Sequence, residues 1–131
     1  MGTLTIISFI LVALAGISKA IMDTLNFHYD ISIFKHAKKQ SWWNPDLSWQ
    51  NKYTWSQNKF VKWLLIHVFT AITDAWHTFQ LLFLTALFAT IICYTPIIHW
   101  AIDFVIYRAL FGLFFVLFYN VILKTKKKDN Y

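Results

Sequence analysis

The residues of this chain that could do chemistry are ionisable side chains set inside apolar stretches. Asp74 and His77 stand three positions apart, with Ala75 and Trp76 between them. On a helix that spacing brings both side chains to one face. A carboxylate and an imidazole on one face are the donors with which helical bundles hold a divalent ion. Asp23 and His28 belong to another apolar segment that can reach the same level, and Lys19 lies one turn before Asp23. The pattern predicts a site at which Asp23, His28, Asp74 and His77 hold a divalent metal ion, Zn-like or Fe-like, or bind a proton. If the chain is an enzyme, the natural chemistry is a metal-activated water attacking a lipid-like substrate.

Lys19, Asn26, His67 and Asn120 complete this inner polar layer. His99 and Asp103 form a second, outer pair, spaced i,i+4, and Arg108 falls between the two layers. The same residues also admit a structural role. Lys19 and Asp23 can neutralise each other at i,i+4, Asp74 can accept from Lys19 across helices, and His99 can pair with Asp103. Arg108 and Asp103 are five apart and point about 140° away from each other on a helix. A small protomer has little interior for so many polar groups, so a homo-oligomer is expected.

Composition decides what positions these residues. The chain has 131 residues, 58% hydrophobic, 20% aromatic and only 14% charged, where soluble domains carry about 25% charged residues. The expected fold is a single all-α integral membrane domain of three transmembrane helices, an antiparallel up-down-up helical bundle without β-sheet. The first span covers about 3–26, the second about 62–94 and the third about 97–123. No Gly or Pro interrupts residues 17–34, so the first helix is expected to run on past the bilayer edge. The second span also lacks Gly and Pro. Its residues 64–94 would measure about 46 Å, beyond the roughly 30 Å hydrocarbon core, so one tilted or protruding helix is expected.

Between the first two spans, about 35–61 forms a loop rich in lysine and tryptophan, with Trp42, Trp43, Trp49 and Trp55 as interfacial anchors. Residues 124–131 are a basic tail. The net charge of +6 sits in this loop and tail, beside apolar spans, which points to anionic lipid headgroups and not to nucleic acid. With both lysine clusters on one side, the positive-inside rule puts the N-terminus outside and the C-terminus in the cytoplasm of a bacterial inner or plasma membrane. Ser18 and Ala20 fit a signal-peptide cleavage site, but no lysine or arginine precedes the apolar region as a signal peptide requires.

Folding the second and third spans about Thr95-Pro96 puts residues equally far from that turn at equal depth. Asp103 is then level with Leu87 or Phe88, and His77 with Phe114. The two polar layers are about eleven residues, or about 16 Å, apart, so they cannot share one ion. His67 and His99 fall at opposite ends, and haem is not expected. Cys93 is the one cysteine, which excludes an internal disulfide framework and a Cys-based zinc site. No phosphate-cradling glycine loop, nucleophile elbow, H-E-x-x-H or potassium-filter sequence occurs. Three function classes follow: a metal- or proton-binding membrane protein with possible lipid-directed catalysis, a non-catalytic accessory or interaction subunit, and an oligomeric ion or proton conduit.

Overall fold

The computed structural model describes residues 2–125; the remainder of the basic tail lies outside the described residues. Helix α1 (Thr3–Phe27) is followed by short helices α2 (Gln40–Trp43), α3 (Pro45–Ser48) and α4 (Asn51–Thr54). Helix α5 (Lys59–His67), α6 (Ala75–Cys93) and α7 (Trp100–Leu117) complete the chain, the last running into a π-helical turn over Phe118–Ile122. Among the described residues there is no strand, only an isolated antiparallel bridge between Ser32 and Lys124. Three helices are long and apolar enough to cross a membrane: Thr3–Phe27, Ala75–Cys93 and Trp100–Ile122.

Helix α1 is the centre of the packing. Of its most apolar stretch 44% is buried, against 11% for α6 and 6% for α7. It packs on both of those helices, which barely touch each other. Small residues on α1 make this possible. Ser8, Ala15, Gly16 and Ala20 are all buried, and Gly16 lies directly against the α7 backbone, where a Cβ would stand 2.6 Å from the Phe111 carbonyl oxygen.

Helix α1 does not continue to residue 34. It stops at Phe27, where His28 takes a non-helical conformation, and two 3-10 turns follow over Tyr29–Ile31 and Ile33–His36. Ser32 diverts the chain between them. Its hydroxyl donates to the Tyr29 carbonyl at 2.8 Å and accepts from the Phe34 N–H at 3.2 Å, the local competition by which serine breaks helices. The start of the C-terminal segment is tied to this region: the Ile33 N–H donates to the Leu123 carbonyl at 3.0 Å and the Thr125 N–H to Ile31 at 2.8 Å.

The expected single helix over 62–94 is broken in two. Thr70 turns its hydroxyl onto the carbonyls of Leu65 and Ile66, Thr73 onto Thr70, and Thr78 onto Ala71 and Asp74. These side-chain bonds replace the backbone ladder, and a 3-10 turn fills Thr70–Ile72. What remains of the second span is the 19 residues of α6, about 28 Å at helical rise. That matches a hydrocarbon core without the protrusion that a continuous helix would need.

The segment 28–73 closes one end of the bundle. Asn51 is buried, and its amide donates to the carbonyls of Ser41 and Thr73, each at 2.7 Å. Trp43 is stacked between Phe34 at 4.5 Å and Phe79 at 6.1 Å, with Trp42 edge-on at 4.7 Å. Two of the four expected interfacial tryptophans, Trp42 and Trp43, therefore pack against the buried cluster of Leu25, Phe34 and Ala75. Trp49 and Trp55 are exposed, at 54% and 51%.

Candidate functional site

Asp74 and His77 do meet, but not as two residues of one helix face. Asp74 precedes α6 in an extended conformation and caps it, accepting the His77 N–H at 2.9 Å through Oδ1. Its other oxygen contacts His77 Nδ1 at 2.7 Å. The spacing read from sequence as a pair of metal donors is the spacing of an N-cap and the residue three positions on. The signal available was Thr73-Asp74 immediately ahead of an apolar helical run.

The other residues expected at this site are engaged elsewhere. Asp23 pairs with Lys19. The His28 ring packs on Tyr119 at 5.3 Å, and the Lys124 ammonium lies over the same Tyr119 ring at 4.5 Å. Asn26 and Asn120 are exposed, as is His67, whose ring lies 5.3 Å from that of Trp63 at the end of α5. Among the described residues no group of three or more His, Cys, Asp or Glu side chains comes together to hold a metal ion. The four residues expected to share an ion are thus divided between an ion pair on α1, a tilted ring contact at its end and a helix cap.

Removing the Asp74 cap is expected to cost about 1 kcal/mol as Asp74→Ala. His77→Ala should cost less, because the His77 N–H survives and only the ring contact is lost. Thermal unfolding of the two variants checks this ranking.

At the other end of the bundle, Asp103 is 1% exposed. Its carboxylate does not pair with the His99 side chain. Oδ2 accepts from the Tyr94 hydroxyl at 2.8 Å and the Ile97 N–H at 2.9 Å, and Oδ1 accepts from the Ile98 N–H at 3.2 Å. Asp103 therefore anchors the α6–α7 connection, and this hydrogen bond pushes the Tyr94 hydroxyl above its ordinary pKa. His99 caps α7, its Nδ1 accepting from the Ala101 N–H at 3.4 Å. Two further bonds tie α1 to this end: Thr5 to Thr95 between hydroxyls at 2.7 Å, and Ser8 to Tyr107 at 2.5 Å. Tyr94 and Tyr107 went unread in the sequence because isolated tyrosines in apolar stretches carry no spacing signal.

Between these ends, the separation of α6 and α7 leaves an open groove of about 760 Å³. Val12 of α1 forms its floor, Phe83, Leu87 and Thr90 line the α6 wall, and Phe104 and Arg108 the α7 wall. The Phe83 and Phe111 rings approach across it at 6.3 Å.

Arg108 is the one charged residue in this lining. Its guanidinium lies over the Phe111 ring at 5.8 Å and reaches along α7 to Gly112, where a Cβ would stand 3.1 Å from a guanidinium nitrogen. Gly112 leaves room for this side chain, whereas Gly16 provides the close helix contact. None of the ion pairs among the described residues includes Arg108. The groove can hold an apolar body and fix an anionic group to it.

Comparison with family models, with curated proteins and with solved structures finds no match.

Proposed function

We propose that this chain crosses the bilayer as an up-down-up bundle of α1, α6 and α7 and serves as a non-catalytic interaction subunit of a membrane complex. Its binding element is the groove between α6 and α7. The observation that carries this reading is Arg108: a permanently charged side chain in an otherwise apolar groove, with no acid beside it among the described residues. A charge at the centre of a transmembrane helix costs about 2.5–3.5 kcal/mol on insertion scales, and such residues face protein or a partner.

The contacts of Thr5 with Thr95, Ser8 with Tyr107 and Gly16 with Phe111 support the helix order. The lysines of the 35–62 segment and the tail support a cytoplasmic loop and C-terminus, with the N-terminus outside. In a Cys93→Ser background, cysteine at Gln50 should resist an impermeant thiol reagent in intact cells, while cysteine at Thr3 should label. Labelling of the Gln50 position from outside would reverse the orientation.

The functional reading is tested by filling the groove. Leu87→Trp adds bulk to the α6 wall without touching the loop anchors or the α1 contacts of Gly16. After gentle detergent extraction, the wild-type chain should migrate in a native gel well above its own 15.5 kDa plus detergent. Leu87→Trp should release it as the bare chain, with its thermal unfolding unchanged. Equal migration of both proteins would remove the groove from the interface.

A further inference from the structure

We infer that the groove seats a single transmembrane helix of another protein, and that this helix carries an aspartate or glutamate at the level of Arg108. The inference rests on the interaction reading above and names the partner's chemistry.

The helix arrangement leaves the place for it. Both α6 and α7 pack on α1 and barely on each other. Three corners of a four-helix arrangement are occupied, and the groove is the fourth, with Val12 of α1 at its floor. Bundles of this kind bury their apolar seams by completing the fourth corner.

Charge then selects the occupant. The Arg108 guanidinium points along α7 toward Gly112 and is held over Phe111, away from the Trp100 end of the helix. Its fork of donors matches a carboxylate. A second copy of this chain cannot supply one. The sequence contains no glutamate and six aspartates. Asp23 is paired with Lys19, Asp74 caps α6, and Asp103 is buried in the connection. Asp30 and Asp46 lie in the segment between α1 and α5, and Asp129 in the tail. None faces outward from α6 or α7, so self-association through the groove would set Arg108 against apolar side chains or another Arg108.

An anionic lipid has the wrong polarity. The α7 wall of the groove runs from Trp100 to Phe111, about 16 Å of helical rise. A lipid keeps its headgroup at the membrane surface, beside Trp100, and would lay its apolar tail on Arg108. A transmembrane helix can present a carboxylate at any depth.

The test uses the full chain in phosphatidylcholine vesicles at neutral pH with single-span polyleucine peptides carrying Asp, Asn or Leu at mid-span. Association is read by energy transfer between a labelled peptide and a labelled tail. The Asp peptide should bind at least about tenfold more tightly than the Leu peptide, and Arg108→Gln should abolish that difference. Arg108→Asp should restore tight binding to a peptide carrying Lys instead, which a misfolded variant could not do. Equal binding of Asp and Leu peptides would overturn the acidic partner while leaving the groove as a helix seat. Binding of oleate in an Arg108-dependent way, with no peptide bound, would overturn both the partner helix and the interaction reading.

Discussion

Replacing Gly16 by valine is expected to cost the bundle about 3 kcal/mol or more of stability. Two opposing effects decide the sign. Glycine inside a helix is less favourable than alanine by about 1 kcal/mol, so filling the position should help an isolated α1. Against this, the new Cβ would stand 2.6 Å from the Phe111 carbonyl oxygen and 3.3 Å from the Phe115 nitrogen. Both are backbone atoms of α7 and cannot rotate away as a side chain would. The helices must separate, and with them the Ser8–Tyr107 hydrogen bond at 2.5 Å. Gly16→Ala should already be destabilising, and Gly16→Val more so. Unfolding in detergent with added denaturing surfactant, followed by circular dichroism, ranks the series. A stability gain for Gly16→Ala would mean that propensity wins and that α1 and α7 are less closely packed.

The second large effect is expected at Asp103. Alanine there removes the acceptor of the Tyr94 hydroxyl and of the Ile97 and Ile98 N–H groups. Hydrogen bonds to a charged acceptor are stronger than neutral ones, and a buried donor left without a partner bears its desolvation cost. A drop in the unfolding midpoint on the order of 10 °C is expected. Asp103→Asn keeps the shape and one carbonyl oxygen but puts an amide donor where the other oxygen accepted, so it should recover only part of the loss. Tyr94→Phe removes a single donor and should be the mildest. If all three variants unfold alike, the connection is held by Thr5 and Thr95 instead.

Hydropathy made the three apolar helices legible. The first was expected over 3–26 and forms over Thr3–Phe27; the third was expected over 97–123 and forms over Trp100–Ile122 when its π-helical turn is included. The break ahead of α6 was not legible in this way. Apolar residues continue through Val68, Phe69, Ala71 and Ile72, and the interruption is made by hydroxyls of Thr70 and Thr73 bonding to backbone. Asp74 and His77 were found in the sequence for a reason that the cap replaces, since the i,i+3 spacing serves both a metal pair and an N-terminal cap. Asp103 stood out as the acid of an outer pair with His99, but its partners are the Tyr94 hydroxyl and backbone N–H groups whose direction depends on the loop conformation. The groove itself follows from which helices fail to touch, a property that no single helix pattern carries. Arg108 was visible as a charge without a partner, and among the described residues no ion pair includes it.

The most direct test of an interaction role is photo-crosslinking from the groove in native membranes. A photoreactive residue at Phe104, which lines the groove and is 67% exposed, is compared with one at Leu113, which is 63% exposed and lies outside the lining. A discrete protein adduct is expected from position 104, mapped by mass spectrometry to one transmembrane segment containing an acidic residue, and only lipid adducts from position 113. Lipid adducts alone from both positions would contradict the interaction role.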